Sequence, residues 1–150
     1  MSPASAVPSF GCTCARMRKL TRRLTRIYDA HLAPQGIKVT QYSLLANAAR
    51  GERTLTEFAA ELEMDRSTLS RNLAPLAAQG WVRVAVGADP RSRSISVTSA
   101  GRRKLKAALP LWRKAQCEIE SVLGASGVGE LHQTIRHALS ALPNPTGKLP

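Results

Sequence analysis

The residues best suited to chemistry in this chain are cations, hydroxyls and an amide crowded into one short run. After Asp65 the order is Arg66, Ser67, Thr68, Leu69, Ser70, Arg71, Asn72, Leu73. Helical spacing gathers Leu69, Leu73, Leu76 and Ala77 on a buried stripe and leaves Arg66, Ser67, Thr68, Ser70, Arg71 and Asn72 toward solvent. These are side chains for reading base pairs. Arginine can grip guanine with two hydrogen bonds, asparagine can do the same for adenine, and hydroxyls can hold bases or phosphates. Further on, GADPRSR sets Arg91 and Arg93 in a turn between two β-branched runs. From Arg66 to Lys106 nine basic residues face one acid, Asp89, a local balance of +8. A second basic cluster, Arg16, Arg18, Lys19, Arg22, Arg23 and Arg26, adds +6. The whole chain has 22 Lys and Arg against 10 Asp and Glu, a net +12, which implies a polyanionic partner.

Other reactive residues are sparse. The three cysteines, Cys12, Cys14 and Cys117, are an odd number, and the first two stand one residue apart, which is no disulfide framework and fits a reducing compartment. Cys14 falls at the start of the predicted first helix, where unpaired backbone N–H groups and Arg16 and Arg18 favour a thiolate; a small structural thiol is the equal alternative. His132 and His137 are five apart, about 140° around a helix, so they do not chelate one ion from one face. No metal or cofactor is expected. The chain has no Gly-rich phosphate loop, G-x-S-x-G or H-E-x-x-H, so it does not read as an enzyme. Six aromatics are few for a single-strand stacking platform. No apolar run reaches the roughly 18 residues of a membrane helix, and no signal peptide opens the chain, so the expected location is the cytoplasm, at the nucleoid.

The elements that must position these groups follow from periodicity. At 150 residues, 43% of them hydrophobic, the chain suits one packed domain. Residues 1–11 and 143–150, rich in Pro, Gly, Ser and Ala, read as loose tails around a single domain over 12–142. A first helix spans 14–33 until Pro34 and Gly36 stop it. Thr40 is the predicted N-cap of a second helix ending near Gly51, and 54–62 is a short third. Asp65 caps a fourth, Arg66 to about Gln79, with Gly80 at its end and Pro75 predicted to bend it. The period then becomes two in 81–86 and 94–98, a two-stranded hairpin. Thr98 caps a long helix over 99–123, kinked at Pro110; a hinge at Gly124 to Gly127 and a last helix over 128–142 complete the chain. The fold class is mainly α with a small two-stranded β-hairpin wing, a winged helix-turn-helix over 40–98 with a helical dimerisation region.

The residues TLTEFAAELEMDRSTLSRNLAPLAAQGWV and then DPRSRSISVTSAG resemble the multiple-antibiotic-resistance regulator (MarR) family of bacterial winged-helix repressors. The resemblance implies that the helix from Arg66 is the recognition helix, that Asp89 to Ser94 is the wing, and that helices 14–33, 99–123 and 128–142 form a homodimer interface. A symmetric dimer then binds a pseudo-palindromic duplex operator. Arg93 is the expected minor-groove residue, with Arg91 pairing with Asp89 or a phosphate; contact of both arginines with phosphates alone is the alternative.

Two release signals follow from the resemblance. One is a small aromatic ligand in a crevice lined by His31, Tyr42 and Trp112, which could equally be plain core. The other is thiol oxidation. Peroxide-sensing members place a reactive Cys 27 residues before a Gln-Tyr pair, and Cys14 stands 27 before Gln41-Tyr42, with Tyr28 fourteen after it and Cys117 as a resolving thiol across the dimer. A sequence-neutral architectural DNA protein is the remaining alternative; it would show the same salt dependence without a preferred site.

Overall fold

The computed structural model describes residues 11–144. The elements are α1 (Thr13–Leu32), a 3-10 turn (Ala33–Gln35), α2 (Val39–Ala48), β1 (Arg53–Thr54), α3 (Leu55–Glu61), α4 (Arg66–Ala78), β2 (Val82–Val86), β3 (Arg93–Val97) and α5 (Ser99–Ala141). The tails expected over 1–11 and 143–150 fall almost wholly outside the described residues.

Each short helix begins where a side chain satisfies its unpaired N–H groups. Thr54 Oγ1 accepts from Glu57 N–H at 3.1 Å while Glu57 Oε2 accepts from Thr54 N–H at 2.8 Å, a reciprocal pair that starts α3. Asp65 caps α4 as expected. The second helix corrects the sequence expectation: its N-cap is Lys38 rather than Thr40. The cause is tertiary, because Asp29 Oδ1 on α1 accepts from Val39 N–H at 2.8 Å and Gln41 Oε1 accepts from Lys38 N–H at 3.0 Å.

The wing is a three-stranded antiparallel sheet in the order β1-β3-β2, not a two-stranded hairpin. Arg53 pairs with Ile95 and Thr54 with Ser94 on the free edge of β3, while Val84 faces Ile95 from β2. Adding β1 covers an edge that would otherwise leave N–H and C=O groups unpaired.

The core lies under α4. Leu69, Leu73 and Leu76 are buried in one core cluster with Phe58, Leu45 and Ile95, which ties α4 to α3, α2 and the wing. Ala77, predicted within that stripe, is exposed, because Leu76 alone closes the last turn of the buried face. Helix α4 runs through Pro75 without interruption. Gly80 adopts φ 72°, and Trp81 N–H reaches back to Leu76 C=O at 2.9 Å, which turns the chain from α4 into β2.

Helix α5 is rooted at the same place. Thr98 Oγ1 donates to Gly80 C=O at 2.5 Å and accepts from Gly101 N–H at 3.0 Å, and Thr98 N–H donates to Trp81 C=O at 3.0 Å. A Cβ on Gly101 would stand 2.1 Å from Trp81 O, so this approach requires glycine. Pro110 sits inside α5, and the residue that leaves helical geometry there is Gly124, at φ 74° and ψ 154°. The hinge expected over Gly124 to Gly127 is therefore one residue long, since Ala125 to Gly127 already belong to the next helical turn.

Candidate nucleic-acid interface

Helix α4 holds its exposed face by the acid that starts it. Asp65 Oδ1 accepts from Ser67 Oγ–H at 2.6 Å and from Thr68 N–H at 2.8 Å, and Oδ2 accepts from Thr68 Oγ1–H at 2.6 Å. The Ser67 and Thr68 hydroxyls, followed by the Thr68 amide, keep the Asp65 carboxyl well below the usual range, so it stays ionised. Arg71 Nη2 reaches Thr68 Oγ1 at 3.4 Å. The first turn is thus a chain of hydrogen bonds ending on a guanidinium. Arg66, Ser67, Ser70, Arg71 and Asn72 are exposed, whereas Thr68 is half-buried with its hydroxyl proton committed to Asp65.

In the wing, Asp89 meets Arg91 through the backbone rather than through the guanidinium. Asp89 Oδ1 accepts from the backbone N–H of Arg91 at 2.9 Å, so the acid shapes the turn and forms no ion pair with the Arg91 guanidinium among the described residues. Arg93 Nη1 folds back onto the Pro90 and Ser92 carbonyls at 3.2 and 3.4 Å. Both arginines are exposed. Beside α4, a cleft of about 540 Å³ opens toward α2, with Arg71, Asn72 and Pro75 on one wall and Gln41, Ser43 and Asn47 on the other.

Sequence reasoning missed two cations that brace this lobe. Arg53 lies over the Phe58 ring at 4.6 Å, pairs with Glu61 and donates to Asn47 C=O, locking β1, α2 and α3 together. Lys104 donates to Gln35 C=O at 2.9 Å and lies 5.3 Å from the Trp81 ring centroid, joining α5 to the turn after α1 and to the wing root. Neither carries a local signal, because every partner is distant or on another element.

The residues suggested for ligand control form a ladder between helices. Trp112 on α5 stacks between Tyr28 at 6.0 Å and Tyr42 at 6.2 Å, and Tyr28 O–H donates to Gln116 Oε1 at 2.5 Å. Burial raises both tyrosine pKa values, helped at Tyr28 by the Glu120 charge, so the phenols remain neutral. His31 Nε2 meets Glu118 Oε2 at 2.6 Å. Tyr42 and Trp112 pack against the core where α1, α2 and α5 meet, His31 ties α1 to α5 at the surface through Glu118, and none of the three borders the α2–α4 cleft.

Cys12, Cys14 and Cys117 are free and exposed. Cys12 is the N-cap of α1, with extended φ −76° and ψ 117°, so it stands outside the helix that carries Cys14. His132 and His137 are exposed, and among the described residues no three His, Cys, Asp or Glu side chains come together as a metal site. No helix of the described residues is long and apolar enough to cross a membrane.

Paired helices with a polar, cationic second member, followed by an arginine-tipped sheet, define a winged helix-turn-helix DNA-binding protein. Residues 35–92 match the MarR family profile. The transcriptional regulator MosR of M. tuberculosis, solved in complex with DNA, is 37% identical over 87% of this chain and 97% of its own, with a TM-score of 0.75. The same regulator solved separately is 35% identical with a TM-score of 0.69, over 87% of this chain and 97% of its own. A mutant MarR of E. coli complexed with operator DNA is 21% identical over 91% of this chain and 99% of its own, with a TM-score of 0.79, and shows the shared fold. A search of curated proteins gave no significant match. The chain belongs to the MarR family; it is a DNA-binding transcriptional regulator and not an enzyme.

Proposed function

We propose that two copies of this chain bind a pseudo-palindromic operator in double-stranded DNA and act as a repressor. The observation that carries the reading is the exposed start of α4, where Asp65 fixes the first turn and presents Arg66, Ser67, Ser70, Arg71 and Asn72 beside the wing. Arg66, Arg71 and Asn72 are assigned to base edges, Ser67, Thr68 and Ser70 to bases or phosphates, and Arg91 and Arg93 to the minor groove and its phosphates. Arg93 must release the turn carbonyls to insert, whereas Arg91 has no side-chain hydrogen bond to break among the described residues.

Dimerisation through α1 and the ends of α5 is supported by apolar side chains left in water. Val122 is 77% exposed, Leu139 65% and Leu142 68%, with Met17 and Leu123 also uncovered. A monomer gains nothing from that exposure, and a second copy would bury it. Two recognition helices on a two-fold axis would then meet half-sites one DNA turn apart.

Arg71→Ala is expected to relax base preference in selection from random duplexes, while Arg103→Ala, on the exposed start of α5, weakens all sequences alike. Equal loss of selectivity in both variants would refute the assignment of α4 to base reading.

For the release signal, thiol oxidation has the more direct support: Cys12, Cys14 and Cys117 are all solvent-accessible. A hydroperoxide would oxidise the Cys14 thiol to a sulfenic acid with loss of the alcohol or water. A second thiol, Cys12 or Cys117 of the other copy, would condense with it to a disulfide and release water. Tyr28 is assigned to meet the Cys14 site of the other copy, for which its hydroxyl must first release Gln116 Oε1. A small aromatic ligand is the second route, and it would have to part the Tyr28–Trp112–Tyr42 stack and the His31–Glu118 pair. Peroxide should release wild-type protein from DNA and leave Cys14→Ser bound; release of both would exclude Cys14 as the sensor.

A further inference from the structure

The basic cluster on α1 is not needed by the interface above. It occupies a face of its own. Lys19, Arg22, Arg23 and Arg26 fall at i, i+3, i+4 and i+7, all exposed, with Arg18 at the flank. The opposite side of α1 is spent on packing: Tyr28 and His31 hydrogen-bond to Gln116 and Glu118 of α5, and Leu20, Leu24 and Ile27 are half-buried. The helix has one acid, Asp29, which serves the start of α2 and sits 3.7 Å from Lys38. None of the three ion pairs among the described residues involves the basic face.

From Lys19 to Arg26 the helix rises about 10 Å, so four positive charges lie at about one per 3 Å. Duplex DNA carries one negative charge per about 1.7 Å of axis, or one per about 3.4 Å on each strand. The face is therefore at least as dense in positive charge as one strand is in negative charge along the duplex axis. No carboxylate interrupts the face, and it carries no aromatic residue or asparagine for reading bases. We propose that this face of α1 is a second, sequence-independent DNA contact, which holds phosphodiester backbone outside the half-site engaged by α4. The inference rests on the DNA-binding reading of α4 and the wing, and extends the footprint beyond them.

The test compares wild-type protein with a Lys19→Gln, Arg22→Gln, Arg23→Gln, Arg26→Gln variant on a short duplex holding only the selected site and on the same site with long flanks. All four side chains are exposed in the single chain; because α1 is also assigned to the dimer, circular dichroism, melting temperature and oligomeric state of the variant are checked first and should match wild type. For wild type, the salt dependence of log K should be steeper on the long duplex, by about 0.9 for each phosphate contact added. The variant should lose that extra slope and retain its preferred sequence. An equal slope for both proteins on both duplexes would overturn the proposal and leave α1 with a solvated face. Absence of any preferred site in wild type would instead count against the α4 reading, so the two ideas fail separately.

Discussion

Gly101→Ala should damage the regulator more than a methyl added at any other glycine among the described residues. The new Cβ would lie 2.1 Å from Trp81 O and 2.8 Å from Val97 Cγ2, where ordinary contacts begin near 3.4 Å. The shortest contact is with backbone, and that carbonyl is already held by Thr98 N–H at 3.0 Å and Thr98 Oγ1 at 3.1 Å. The root of α5 must therefore withdraw from the wing by more than 1 Å, roughly. Overpacking of this kind costs about 1–3 kcal/mol, and a lost hydrogen bond adds about 1 kcal/mol. A total near 3 kcal/mol lowers the melting temperature by about 6–12 °C for a chain of this size. Calorimetry gives that shift, and hydrogen exchange at the Thr98 amide shows where the opening occurs. Operator affinity should fall as well, since the displaced element carries the wing. A melting temperature within about 2 °C of wild type, with Thr98 still protected, would refute the close-approach argument.

The remaining predictions concern charge and the aromatic ladder. Asp65 has a folded pKa below its unfolded value, so its stabilisation is full above the ordinary aspartate range near pH 4 and is lost as pH falls through the folded value. Acid titration of wild type should show that loss, and Asp65→Asn should flatten it; identical profiles would refute the capping role. Between pH 5 and 8 operator affinity should carry no step from this group. Trp112→Ala removes the middle ring of the stack and should cost about 3 kcal/mol, while Tyr28→Phe keeps the stack, loses the bond to Gln116, and should cost about 1 kcal/mol. Denaturant titration separates the two, and equal costs would show that the rings contribute nothing beyond the hydroxyl.

Much of the DNA lobe was legible because its determinants are local. Asp65 before a leucine-spaced run, Gly80 at its end and Thr98 three residues before Gly101 act within a few residues, and the structure uses each of them as cap or turn. The misreadings have the opposite character. Lys38, not Thr40, begins α2 because a carboxylate on another helix meets Val39 N–H. Strand β1 is two residues long and has no period to detect; it exists because β3 offers an open edge. The glycines at 124 and 127 suggested a four-residue hinge, yet only Gly124 is obliged to bend. The candidate reading face of α4 was visible as a list of side chains. The internal wiring from Asp65 through Thr68 to Arg71, and the folding of Arg93 onto its own turn, depend on rotamers that a list does not specify.

The break at Gly124 has a mechanical consequence. On its near side α5 runs unbroken from the wing root at Thr98, 25 residues or about 37 Å of stiff rod. On its far side lies the apolar end assigned to the partner copy. A swivel at one end of such a rod multiplies angle into distance. A tilt of about 5° at Gly124, small enough to leave side-chain packing there intact, displaces the wing root by about 3 Å, which approaches the axial step between neighbouring phosphates on a strand. Two such levers moving in mirror fashion would change the span between half-sites by twice that amount. In the proposed dimer, a slight change near the helix ends would then be enough to throw both wings out of step with the groove.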